Sequence, residues 1–250
     1  MVAFPCSSFN LLSQQECGAV KAHGPARRLA TLKKLALVAT VLLGVKVVVS
    51  IVLQYGDYFP PNFDSSFLVG REKSFTGIYP PAFYAHIIAG PITLLLAAYL
   101  MFSGKRKTQQ KLHRRLGKLQ VLLVLGVIVP SGLIMAIWAF SGPIAGVAFA
   151  LQSIATGITA AMAARYAMRK KIAIHQIWAT RCFVLLISPL IFRLASGVLI
   201  VTESESVEAY RVNAWLSWLV PLLVYEVWRC RQQRTRKSAL AERRLMEATS

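Results

Sequence analysis

Six long apolar runs, separated by polar segments, organise this chain: residues 35–53, 82–102, 119–140, 143–164, 177–201 and 212–228. Each approaches or exceeds the roughly 20 residues that carry a helix across about 30 Å of hydrocarbon. Within hydrocarbon each must be helical, because an unpaired backbone amide costs several kcal/mol and an open sheet edge finds no partner. The pattern predicts an all-α fold, a polytopic membrane bundle of six transmembrane helices. A polar basic tail is expected over 1–34 and a basic tail over 229–250. The stretch before the first run, with Lys21, Arg27, Arg28, Lys33 and Lys34, is too long and too polar for a cleaved signal peptide. The first span is therefore expected to be an uncleaved anchor.

Only Ser141 and Gly142 separate the third and fourth runs, and the Gly142-Pro143 pair ends one helix and opens the next. These two spans should be antiparallel neighbours. The fourth carries Gly146, Ala150, Ser153, Gly157 and Ala161, small residues that let helices approach closely, so it is expected at the bundle centre.

Charge adds a direction to this pattern. Of 29 Lys and Arg residues, 23 fall in four segments: five before the first run, seven in 103–118, four in 165–176 and seven from 229 onward. The three intervening connections are poor in base and hold Asp57, Asp64, Glu72, Glu203, Glu205 and Glu208. Cytoplasmic loops retain Lys and Arg, so six spans place every basic segment, and both termini, on the cytoplasmic side of a bacterial inner membrane. A chain 56% hydrophobic with a mean hydropathy of +0.53 suits a bilayer and not a soluble globule. The net charge of +19 flanks the spans without forming a separate domain, which points to anionic lipid headgroups as partners and away from nucleic acid.

Candidate chemistry lies inside the runs. Pro91, Pro130, Pro189 and Pro221 sit near mid-membrane, and each frees a carbonyl one turn earlier. The freed carbonyls need partners, which leaves two readings, a bent helix and a polar cavity. Lys46, Arg181, Arg193 and Glu226 are charges within the spans, where a central Arg or Lys costs about 3 kcal/mol. Arg181 and Glu226 share a depth and suit a structural ion pair, whereas Lys46 can snorkel.

His86 enters about one turn inside the outer end of the second span, at the depth of Arg193. That pair suits a proton or substrate site. His113 and His175 stand at one level at the cytoplasmic ends of the third and fifth spans. Two imidazoles from separate helices suit the axial positions of a haem, with Arg114, Arg115 or Arg181 near its propionates. The same pair also suits weak metal binding or plain headgroup contact.

Cys6, Cys17, Cys182 and Cys230 form no disulfide framework in a reducing compartment, and Cys6, Cys17 and His23 lack ligand spacing, so no metal site is expected. No phosphate loop, Gly-x-Gly-x-x-Gly or Gly-x-Ser-x-Gly motif occurs.

The segments His86-x-x-x-Gly90, His113-Arg114-x-x-Gly117 and His175-x-x-Trp178-x-x-Arg181, with Arg193 further along, resemble the bacterial membrane proteins called domain of unknown function 2306 over residues 79–197. The resemblance implies a multi-pass inner-membrane protein without an assigned reaction. A Met commonly follows the Trp in that family, and Ala179 stands there in this chain. Three functions remain open: a redox or haem-associated membrane protein using His113 and His175; a small transporter or proton-linked carrier using His86, Arg193 and Lys46; and a scaffold with a basic cytoplasmic surface.

Overall fold

In the computed structural model, which describes residues 24–64, 68, 71–103 and 109–249, seven α-helices follow one another without a strand among the described residues. They are α1 (Gly24–Leu53), α2 (Tyr79–Ser103), α3 (Gln110–Leu123), α4 (Val129–Ile137), α5 (Pro143–Met168), α6 (Ile172–Val201) and α7 (Val207–Thr249). A π turn at Val124–Ile128 joins α3 to α4, so the two form one continuous rod over Gln110–Ile137. That rod, α2, α5 and α6 are four helices long and apolar enough to cross a membrane. Cys6, Cys17 and His23, where no metal site is expected, lie outside the described residues.

The chain divides into two units, Met1–Leu43 and Gly44–Ser250. The described part of the first is the leading portion of α1. Helix starts within the expected N-terminal tail, at Gly24 with Pro25 in its first turn, where a missing N–H costs nothing. At the other end, residues 229–249 continue α7. Beyond Pro221 that helix meets no Gly or Pro, and its Ala, Leu, Arg and Glu residues favour continuation.

In the second unit, α2 packs on the α3–α4 rod, the rod on α5, α5 on α6, and α6 back on α2, which closes a four-membered ring. Helix α7 lies along α5 and α6. The ring carries its large apolar side chains outward: Leu95, Leu122, Ile158 and Val198 are all exposed. Its inside is small and weakly polar, with Ala97, Thr93, Thr156, Thr159, Ala160 and Ser188 buried. Hydroxyls there return to their own helix, as Thr93 does to the Gly90 carbonyl at 2.8 Å and Thr156 to that of Gln152 at 2.7 Å. This inversion of a soluble core is what lipid as solvent demands.

Helix α5 owes its place to its glycines. A Cβ at Gly146 would stand 2.6 Å from the Ala136 carbonyl oxygen, and one at Gly157 would stand 3.2 Å from a Val129 methyl. Gly142, at φ 84°, makes the hairpin from α4 that a side chain would strain. Gly146→Ala is expected to destabilise the α4–α5 contact by about 1–3 kcal/mol, because a backbone oxygen cannot step aside. Its unfolding midpoint in detergent should fall, whereas Gly90→Ala, with nothing within 4 Å, should not lower it.

Two of the carbonyls freed by proline find side-chain partners. Pro91 frees the Ile87 carbonyl, and the Tyr55 hydroxyl donates to it. Pro189 frees that of Leu185, which accepts from Ser188 Oγ at 2.6 Å with the Gln152 amide 3.5 Å away. At Pro130 the rod has already widened into its π turn, and Ser131 Oγ donates to the carbonyls of Val127 and Ile128.

Candidate functional site

The two ends of the ring differ in chemistry. One, where α3 and α6 begin and α5 ends, carries Arg114, Arg115, Lys118, Arg165, Arg169, Lys170 and Lys171 and is termed the basic end. The other, where α2, α5 and α7 begin, gathers Tyr58, Phe75, Tyr79, Phe83, Trp138, Phe140 and Tyr210 in edge-to-face and stacked contacts and is termed the aromatic end.

At the basic end, His113 belongs to α3 and His175 to α6, helices that face each other across the ring without packing side by side. Each imidazole has its Nδ1 engaged: His113 with Ser103 Oγ at 3.1 Å and His175 with the Ala163 carbonyl at 2.9 Å. The carbonyl can only accept, so His175 Nδ1 carries the proton and Nε2 presents its lone pair. The two rings lie within electrostatic range of one another.

Continuing inward, both helices repeat one spacing. On the α3–α4 rod it runs His113, Gly117, Gln120, Val124; on α6, His175, Ala179, Cys182, Leu186. Steps of four, three and four residues keep each set on one helix face. Val124, Cys182 and Leu186 close the face with Ala97 and Ala160 in a buried apolar floor. Between floor and histidines, Gly117 has open space where a Cβ would sit, and Gln120 is buried with neither amide atom hydrogen-bonded. A buried amide lacking both donor and acceptor partners is rare in a folded protein and calls for water or a ligand. Gln120 was legible only through its seven-residue spacing from His113, since a lone Gln in an apolar run carries no motif.

The other sequence candidates are not gathered into one site. His86 bonds Ser131 Oγ at 2.9 Å and reaches the Ile128 carbonyl, so its imidazole closes the π turn. Arg193 lies near Tyr58 at the aromatic end. Lys46 lies exposed on α1. Arg181 meets Glu226 in a two-pronged ion pair, Nε to Oε1 at 2.6 Å and Nη2 to Oε2 at 3.1 Å, while its guanidinium lies 4.4 Å from the Trp178 ring centre. Arg229 adds a second cation to Glu226 at 2.9 Å. Arg181 is thereby committed to α7. Among the described residues no group of three His, Cys, Asp or Glu side chains could hold a metal ion.

A family model described as a predicted membrane protein, domain of unknown function 2306, matches residues 83–229. The chain belongs to that family. The domain of unknown function 2306 segment takes in His86, His113, Gln120, His175, Arg181, Arg193 and Glu226, and leaves out α1 and the loop that supplies Tyr58 and Arg71. No curated protein and no solved structure matches the chain.

Proposed function

We propose that this protein is a six-span inner-membrane protein with both termini in the cytoplasm, and that it carries a haem between His113 and His175, close to the cytoplasmic face. The observation that carries the reading is the pair of imidazoles presented from opposed helices of a four-helix ring, each with Nδ1 already committed. This is the way bundle cores hold cofactors, with ligands from facing helices. Donation from Nδ1–H to Ser103 Oγ on one side and to the Ala163 carbonyl on the other would fix ring orientation and leave Nε2 for coordination.

The residues present fit such a group. Gly117 and Ala179 keep the facing surfaces low next to the histidines, and the Gln120 amide offers a polar partner above an apolar floor. With Arg181 held by Glu226, Arg114 and Arg115 are left of the three arginines the sequence offers for anionic substituents. A haem ligated by two imidazoles supplies one-electron transfer. The protein's part is to hold both imidazoles neutral, oriented and shielded from water by the helices around them. The basic surface at this end also suits anionic headgroups.

The purified protein, expressed with ample haem, should show a Soret band that shifts on adding dithionite. A colourless preparation that also fails to take up added haem would eliminate the redox reading. Topology is tested separately: reporter fusions at Asp64 and Gln109 should report opposite compartments, and the same compartment for both would refute six spans.

A further inference from the structure

Helices α5 and α7 pack side by side, yet at the aromatic end they leave an open groove of about 320 Å³ between them. Its walls are Ile144 of α5 and Glu208, Arg211, Val212, Trp215 and Leu216 of α7. The α7 residues recur at steps of three, one, three and one, so they share one helix face. From Glu208 to Leu216 that face runs about 12 Å, charged at the helix start and apolar farther in. Ile144, Val212 and Leu216 each leave about half of their surface uncovered. Trp215 stands between the charged and the apolar portions, the level at which indoles gather in membrane proteins.

Arg211 and Glu208 form the mouth of the groove. Arg211 Nε donates to the Ser141 carbonyl at 3.1 Å and Nη1 to Glu208 Oε1 at 2.5 Å, which fixes the guanidinium between α7 and the α4–α5 hairpin. Arg211 Nη2 and Glu208 Oε2 make no hydrogen bond among the described residues. Glu208 balances the charge of Arg211, and the connection into α7 adds Glu203 and Glu205. An anionic headgroup would meet more acid than base here, whereas a headgroup carrying both signs finds a partner for each. A phosphate accepts from Arg211 Nη2, and a primary ammonium donates to Glu208 Oε2. A quaternary ammonium has no N–H to give. The groove lies at the low end of the roughly 300–1,000 Å³ of small-ligand sites, which suits one stretch of acyl chain and leaves the rest of a lipid in the bilayer.

We propose that this groove binds a phosphatidylethanolamine of the leaflet at the aromatic end, with its phosphate on Arg211, its ammonium on Glu208 and one acyl chain against Ile144, Val212 and Leu216. The proposal rests on the reading of α7 as a membrane span and is independent of any haem.

The test follows the unfolding midpoint of the purified full chain in neutral detergent against rising mole fractions of dilauroyl phosphatidylethanolamine, phosphatidylcholine or phosphatidylglycerol. The ethanolamine lipid should stabilise in a saturable way. Its apparent affinity should exceed that of the choline lipid about three- to fivefold, the size expected for one partly exposed charge pair. Glu208→Gln should erase this advantage and turn the preference to phosphatidylglycerol, because the charge of Arg211 is then unbalanced. Val212→Phe, on the groove wall, should weaken the response to all three lipids. Lowered midpoints in both variants with unchanged lipid preference, the result expected if the ion pair only braces the α4–α5 hairpin, overturn the proposal. So do equal responses to the three lipids, a wild-type preference for phosphatidylglycerol, and a dimer that Val212→Phe disperses, which would give the groove to a second copy. Reporter fusions at Ser204 and Ser250 separate the two levels. The same compartment for both removes α7 from the membrane and overturns the span reading together with the groove; opposite compartments with flat lipid responses overturn the groove alone.

Discussion

His175→Ala and His113→Ala are each expected to lower haem retention through purification at least tenfold, while His86→Ala leaves the Soret band in place. The contrast follows from partners. His113 and His175 engage Ser103 and Ala163 through Nδ1, whereas His86 is taken up by Ser131 in the α3–α4 rod. Loss of either imidazole would remove half the coordination that the chain is proposed to give the group. Gln120→Leu gives the same reading a second readout, through its sign. If the amide serves a bound group, the substitution weakens haem affinity; if the space holds nothing, removing an unpaired buried amide stabilises the apoprotein by about 1–3 kcal/mol. Equal haem content in wild type and in both basic-end histidine variants would exclude the pair as ligands.

Glu226→Gln is expected to destabilise the protein by about 3 kcal/mol or more, the largest effect of any single polar substitution here. Glu226 is the shared counterion of Arg181 and Arg229, and removing its charge leaves two neighbouring cations facing each other. With one partner gone, a poorly solvated charge has no compensation, which costs more than the pair itself contributed. The double variant Arg181→Met with Glu226→Leu should recover much of the loss, since an apolar pair of similar volume suits that depth. Thermal unfolding in one detergent measures both. A double variant no more stable than Glu226→Gln would show that the ion pair contributes more than charge balance.

Much of the bundle could be read from residue order because membrane insertion depends on local quantities. The apolar runs around 82–102, 143–164 and 177–201 lie within α2, α5 and α6, and the Gly142-Pro143 hairpin joins α4 to α5 where the sequence places it. Helix ends were less legible: α6 starts at Ile172 and α7 runs to Thr249, because a helix continues into polar residues that hydropathy assigns to a loop. The π turn was not legible either. It arises where the rod must pass Pro130 while keeping Val124 and Ile128 buried against its neighbours.

The candidate site separates the two levels. Which side chains carry chemistry was plain in the sequence, since Lys, Arg, Glu and His are costly within an apolar run wherever that run packs. Whom each one meets was decided by tertiary structure. Depth alone paired His86 with Arg193, but rotation about the helix axis turned His86 toward Ser131 and Arg193 toward Tyr58, and it assembled Gly117, Gln120 and Ala179 beside the two basic-end histidines. Depth is set by one helix and its solvent, and so it is written in one stretch of sequence. Azimuth is set by the fit of four helices at once, through contacts such as Gly146 on Ala136, and no single stretch contains it.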